Sequence, residues 1–273
     1  MRHGEGISHG AVSVMNAIPF NVGATIGIDL ETRAVFDTAD DIVITIVGRP
    51  DMSTRLAETC VLRARERIGA DVDEGYHLTI ESQIPPSMGL KSSSSVCNAV
   101  ISAVLDAYGE SMDVLDMIRL GVECAKECKV TITGAFDDAC GCHLGGLVMT
   151  NNRINELLYS SEIPEYDVVI CIPDRIITKD TVPVERYTDL MAEYMFMASL
   201  VKKDYPFVMN ENGRHVAKII GDDSGLADKA RKEGAVAAGI SGTGPATAIL
   251  ANKGDGERIA AAMGCRTIIT RTR

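Results

Sequence analysis

One stretch constrains this chain more than any other. A strand-like run, His77 to Ile84 (HLTIESQI), feeds Pro85-Pro86-Ser87-Met88-Gly89-Leu90-Lys91-Ser92-Ser93-Ser94-Ser95, which opens directly into the apolar segment Val96 to Leu105. A strand, a tight loop and a helix in that order present the free N–H groups of the first helical turn, backed by the positive end of the helix dipole. Gly89 and the small serines let the backbone approach an anion closely, the hydroxyls can add donors or ligate magnesium, and Lys91 adds a compact positive charge. The stretch therefore predicts a phosphate site. A plainer reading makes the serines caps of the helix, but one cap uses one hydroxyl and four stand in a row. The Walker A pattern G-x-x-x-x-G-K-[ST] is absent, which disfavours the P-loop NTPase fold.

Around that loop strands alternate with helices. Gly10 to Ile18 and Ala24 to Leu30 read as strands on either side of a turn at Phe20-Asn21-Val22-Gly23, and Asp41 to Val47 alternates branched apolar residues as a third. Ser53 to Ile68 has helical spacing in Leu56, Cys60, Leu62 and Ala64. The helix after the loop should stop near Gly109; the next should start behind Ser111 as N-cap, with Asp113 in its first turn, and end near Cys128. Gly134 to Gly146 reads as a loop entering a short helix.

Periodicity breaks at Asn151-Asn152, and Pro164 follows, so a boundary is expected between residues 151 and 163, with domains over 1–155 and 156–273. Beyond it, Tyr166 to Ile172 reads as a strand, and Val184 to Ile220 as helices with Met191, Met195 and Met197 as core filler. Ser224 to Ala238 reads as a helix, followed by a strand through Leu250, a helix over Gly256 to Met263 and a strand over Cys265 to Thr270. Alternation in both halves predicts an α/β (α+β) protein of two domains, each a sheet packed with helices.

Two further segments carry chemistry. In Thr133-Gly134-Ala135-Phe136-Asp137-Asp138, adjacent acids lie in an otherwise apolar stretch, where burying them without a role is expensive. One is expected to accept a proton or position a hydroxyl, the other to cap the following helix. Gly239-Ile240-Ser241-Gly242-Thr243-Gly244-Pro245-Ala246 suits a loop passing close to a ligand, and equally an ordinary tight connection. It lacks the strand-before, helix-after setting of a dinucleotide fingerprint.

Composition sets the outer limits. At 273 residues the chain can bury a substantial core as one large or two ordinary domains. Lys plus Arg is 27 against 38 Asp plus Glu, a net charge of −11 that repels phosphodiester backbones, so nucleic acid is not an expected partner. A nucleotide needs only a local positive site. No apolar run reaches the roughly 18 to 20 residues of a membrane span, and Met1 to Gly6 shows no signal core, so the cytoplasm is expected, with the eight cysteines as reduced thiols. Cys124 with Cys128, and Cys140 and Cys142 with His143, could be weighed as zinc ligands. The second group alternates with glycine in a small-residue segment, where cysteine serves as a small apolar residue.

In this order and at this spacing the three segments resemble the GHMP kinases, named for galactose, homoserine, mevalonate and phosphomevalonate kinases. That superfamily's P-x-x-x-G-L-x-S-S loop is matched from Pro85 through Ser93, its C-terminal glycine motif by Ser241 to Ala248, and its N-terminal motif region by Val14-Met15-Asn16-Ala17 and the following turn. Within it, Lys91 before the serines, T-G-A-F-D-D-A from Thr133 and N-A-I-x-x-x-x-G-A-x-x-G-I-D-L from Asn16 are similar to the archaeal shikimate kinase family. The resemblance implies an N-terminal ATP-binding domain, a C-terminal ferredoxin-like domain and an active site in the cleft between them. It implies transfer of the γ-phosphoryl group of ATP to the 3-hydroxyl of shikimate, with Mg2+.

Carried onto this chain, the resemblance gives Pro85 to Ser95 to the triphosphate and Ser93 to magnesium. It makes Asp137 the base or electrostatic partner. A helical glutamate upstream should be the second magnesium ligand; Glu123 and Glu127 both qualify, with Glu123 favoured. Ser241, Gly242, Thr243 and Gly244 should line the phosphate or substrate, with Asn16 and the Asp29-Leu30 end of the second strand on the substrate side. The lysine that some members place beside the acid has no counterpart near Asn16. The substrate carboxylate should be gripped by an arginine or lysine, with Arg33, Arg175 and Arg271 among those available. Another GHMP acceptor such as homoserine or mevalonate remains an alternative, as does a nucleotide-binding regulatory protein on the same fold.

Overall fold

The computed structural model describes residues 1–175, 177 and 182–273. The two strands expected around the first turn are parts of much longer ones, β1 (His3–Met15) and β2 (Val22–Ala39), which pair antiparallel. β2 organises the first sheet. β1 takes one edge; β4 (Gly75–Ser82) and β5 (Leu147–Asn151) share the other, at residues 32–39 and 22–26 of β2. β3 (Ile42–Ile46) adds parallel to β4 through the crossover helix α1 (Arg55–Ile68), as a parallel pair requires. β3, expected from its alternating branched apolar residues, is an exposed edge, with Ile42 61% accessible.

Against this sheet pack α2 (Ser92–Tyr108) and α4 (Phe136–Leu144), with α3 (Val114–Glu127) packed on α1, α2 and α4. The cap of α3 is Asp113, not Ser111: its carboxylate accepts from the N–H groups of Leu115 and Asp116. The short helix expected within Gly134 to Gly146 is α4, which starts at Phe136, so little of the stretch is loop ahead of it. β6 (Glu156–Ser161) pairs with β5, so the residues after Asn155 close the first sheet.

The second sheet runs β10-β7-β9-β8, all antiparallel, from β7 (Tyr166–Cys171), β8 (Ala237–Ile240), β9 (Thr247–Asn252) and β10 (Thr267–Arg271). Its helices are α5 (Val184–Thr188), α6 (Met191–Ile220), α7 (Gly225–Lys232) and α8 (Gly256–Met263). α6 breaks at Asp204 (φ −151, ψ 64), just ahead of Pro206, whose ring cannot continue the i to i−4 ladder. The helix expected over Ser224 to Ala238 stops at Lys232 before Gly234 (φ 93), and Ala237 and Ala238 enter β8. Their small side chains are compatible with either element, so tertiary pairing decided. Of the three methionines expected in the core, only Met197 is buried; Met191 and Met195 are 39% and 57% exposed.

One apolar core joins the halves, with Val12, Val14, Ile26 and Ile28 of the first sheet packed with Val168, Ile170, Val208 and Val216. A second core, around Phe36, Leu78, Val104 and Ile118, lies under α1 to α3. Among the described residues no helix is long and apolar enough to cross a membrane.

Candidate active site

Ser87, Gly89 and Lys91 in the loop all take positive φ (58, 75 and 68), which curls the chain tightly onto the start of α2. Lys91 is the N-cap residue and supplies no side-chain cap, and Ser92 to Ser95 lie inside the helix. The capping explanation of the serines is therefore overturned. The first intrahelical bond runs from Ser95 N–H to Lys91 C=O (3.0 Å), leaving the amides of Ser92, Ser93 and Ser94 with no carbonyl a turn behind them. An uncapped helix start on a curled loop is what an anion can occupy.

The glycine segment between β8 and β9 touches this loop. A Cβ on Gly89 would lie 2.0 Å from the Ser241 carbonyl oxygen, so only glycine permits the approach. Ser241 Oγ donates to Gly89 C=O (2.8 Å) and accepts from Ser13 N–H (3.0 Å). Gly242 N–H donates to Ser13 Oγ (2.9 Å), and Gly242 C=O accepts from Asn16 Nδ2 (3.0 Å). Asn16 N–H in turn donates to Asn212 of α6 (3.0 Å). Thr243 and Gly244 complete the turn.

Lys91 points inward. Its Nζ donates to Ser13 Oγ (2.7 Å) and lies 2.8 Å from Asp138 Oδ1, with the side chain only 6% exposed. Burial works against the ammonium, but the attraction of Asp138 and Asp137 outweighs it and holds the pKa above its ordinary value.

Asp137 and Asp138 open α4, whose N-cap is Ala135 (φ 54), so neither acid is the expected cap. Asp137 is buried at 4% exposure. Its Oδ1 accepts from Asn152 Nδ2 (2.7 Å) and its N–H donates to Asn152 Oδ1 (3.1 Å), while Thr150 Oγ1 donates to the same Asn152 oxygen (2.7 Å). A Cβ on Gly23 would sit 2.2 Å from Asp137 Oδ2, so β2 makes room for the carboxylate with a glycine. Burial, then the neighbouring charge of Asp138, push the Asp137 carboxyl up to about 7, against the pull of Lys91 and the Asn152 bond. Asp138 takes the lysine; Asp137 is left to take a proton. That is the range a general base at neutral pH requires.

Two expected residues lie elsewhere. Gly27 of β2 abuts Gly145 at the far end of α4, and Asp29, roughly 20 Å along the strand from Gly23, pairs with Arg271 (2.9 Å) while Leu30 is core. Glu123 faces Arg67 of α1 (3.7 Å) and Glu127 faces Arg63 (2.8 Å). The face of α3 toward α2 is marked by Gly121, where a Cβ would meet Cys97 at 3.1 Å, and position 123 is roughly 200° further round the helix. Ser93 and Glu123 therefore do not converge. Among the described residues no group of three or more His, Cys, Asp or Glu side chains could hold a metal, so this donor set does not fit a protein-built magnesium site.

Residues 55–146 match the GHMP kinases N terminal domain and residues 208–269 the GHMP kinases C terminal domain, together more than half of the chain. This chain belongs to the GHMP kinases. It is an ATP-dependent small-molecule kinase, with the Pro85 to Ser95 loop and Asp137 in the first matched region and Ser241 to Gly244 in the second. The GHMP fold is also that of the Methanococcus jannaschii mevalonate kinase crystal structure (TM-score 0.81, 16% identity, 99% of this chain and 98% of that one). It is shared by the Cytophaga hutchinsonii homoserine kinase structure (TM-score 0.76, 15% identity, 100% and 95%). In sequence the kinase is 38% identical to a protein named shikimate kinase from Methanococcoides burtonii, over 92% of this chain and 88% of that one. It is 39% identical to another so named from Methanosarcina acetivorans, over 90% and 84%.

Sequence reasoning missed Ser13, Gly23 and Asn152. Gly23 lies inside the N-A-I-x-x-x-x-G-A motif, which assigns it no role, and Asn152 marks only a break in apolar periodicity. Ser13 carried no signal, being one serine in a strand.

Proposed function

We propose that this kinase transfers the γ-phosphoryl group of ATP to the 3-hydroxyl of shikimate. The observation that carries the reading is identity of 38–39% over at least 90% of the chain to proteins named shikimate kinase, against 15–16% to the mevalonate and homoserine kinase structures. The uncapped start of α2 would take the triphosphate, with the amides of Ser92 to Ser94 and the Pro85 to Ser95 loop around it. Phosphoryl transfer asks the protein chiefly for positioning and charge stabilisation. Asp137 accepts the hydroxyl proton and the Lys91 ammonium offsets developing negative charge. Magnesium would enter as the ATP complex and supply further charge neutralisation, with the Ser93 hydroxyl at the start of α2 proposed as a ligand to it.

The ATP-binding half is proposed to be the chain to about residue 155 together with β6, and the ferredoxin-like half the second sheet. All three arginines named for the substrate carboxylate are paired, Arg33 with Glu5, Arg271 with Asp29 and Arg175 with Asp222, so the carboxylate would have to compete for whichever one it takes. Arg175 is favoured because Ile177, two residues on, borders Gly244. Eight free thiols suit a cytoplasmic enzyme. The decisive experiment is coupled ADP release with shikimate, homoserine and mevalonate in parallel. Turnover with shikimate is expected. Turnover only with another acceptor would overturn the substrate, and none with any acceptor would favour a nucleotide-binding regulator.

A further inference from the structure

We infer that Ser13 is a positioning residue of this kinase, whose hydroxyl fixes the Lys91 ammonium and the glycine loop to one another. Ser13 sits on β1, 3% exposed, where three segments distant in sequence meet. Its N–H is committed to Ser241 Oγ (3.0 Å). Its Oγ receives two hydrogen bonds, from Lys91 Nζ (2.7 Å) and from Gly242 N–H (2.9 Å). A hydroxyl has two lone pairs, and both are thereby taken.

The consequence for Lys91 is geometric. An ammonium has three N–H groups on a flexible four-carbon stem. One goes to Asp138 (2.8 Å) and one to Ser13, and no protein acceptor among the described residues takes the third. Two anchors on one side of a tetrahedral nitrogen fix where the remaining N–H points. Ser13 is the uncharged anchor of the two. Without it, the ammonium is drawn only by carboxylates, and the nearer it moves to Asp137 the less that group can serve as base. The Gly242 amide loses its acceptor at the same time, so the glycine loop loosens from the phosphate loop just where Gly89 and Ser241 touch.

The inference rests on Lys91 and Asp137 acting in the proposed transfer, and it acts through Lys91, which a double-mutant cycle isolates. Ser13→Ala, Lys91→Met and the double variant are purified as full chains and assayed for kcat and KM. The acceptor is whichever the wild type turns over. Ser13→Ala is expected to lower kcat by about tenfold to a hundredfold, the scale of one hydrogen bond to a charged group, with the acceptor KM within about twofold. The double variant should be no slower than Lys91→Met alone by more than about twofold. Ser13→Thr, which keeps the hydroxyl, should restore most of the rate, and Ser13→Cys, a weaker acceptor, should fall between. Wild-type kcat in Ser13→Ala overturns the inference, and so do additive losses in the cycle. If Ser13→Ala does not fold, equal rates for Ser13→Thr and Ser13→Cys overturn it. A wild type inactive on shikimate but active on mevalonate or homoserine sinks the substrate reading and leaves this test intact.

Discussion

The Lys91 ammonium is bound to Asp138 at 2.8 Å, so the cation from the Pro85 to Ser95 loop is neutralised by the acid next to Asp137, the proposed proton acceptor. Removing that neutral partnership changes Asp137. In Asp138→Asn the repulsion from Asp138 disappears and the pull of Lys91 remains, so the Asp137 carboxyl should drop from about 7. The acidic limb of the kcat profile is expected to move to lower pH by a unit or so, an order-of-magnitude shift for one buried neighbouring charge. An unmoved limb would place its origin outside this pair.

Asp137→Asn should retain ATP binding, measured by titration calorimetry, while losing most turnover. It also has a stability signature. The folded-state pKa of about 7 lies above the ordinary carboxylate value, so the folded protein binds this proton more tightly than the unfolded chain. The penalty of the buried charge is therefore present above pH 7 and relieved as pH falls toward 4. The amide variant should melt higher than wild type at pH 8, by an upper limit of about 4 kcal/mol in unfolding free energy, and the gain should shrink by pH 5.

Gly23→Ala places a methyl 2.2 Å from Asp137 Oδ2. Either β2 or the carboxylate must move, and overpacking of this kind costs about 1–3 kcal/mol. Lower kcat with a modest fall in melting temperature is expected; full activity would mean that the carboxylate position is not critical.

Ser93→Ala should raise the KM for magnesium–ATP, whereas Glu123→Gln should leave it unchanged, since Glu123 faces Arg67 on the outer side of α3. Steady-state titration of ATP at fixed magnesium distinguishes them, and a large effect of Glu123→Gln would require α3 to turn.

Arg175→Ala should raise the KM for shikimate at least tenfold, the scale of one charge-assisted bond to a carboxylate, with the KM for ATP little changed. Equal effects on both substrates would remove Arg175 as the carboxylate partner.

The elements around the phosphate loop were legible because strand, positive-φ glycine and apolar helix follow one another within a single local segment. The glycine segment and the acid pair were legible for the same reason. Glu123 was not, because helical periodicity leaves open which face of α3 meets α2, and Gly121 settles it only through its contact with Cys97. Asp29 failed likewise, since a strand pattern does not say which end of β2 lies by Asp137.

By itself the sequence determined the loop from Pro85 to Ser95, the acid at Asp137 and the alternation of strands and helices, all set by neighbours along the chain. Only the tertiary structure decided that Lys91 turns inward to Ser13 and Asp138 at residue separations of 78 and 47, and that Asn152 holds Asp137. Those partners are chosen by packing between distant segments in a low-dielectric interior, where a buried charge must find its counter-group wherever the fold brings one.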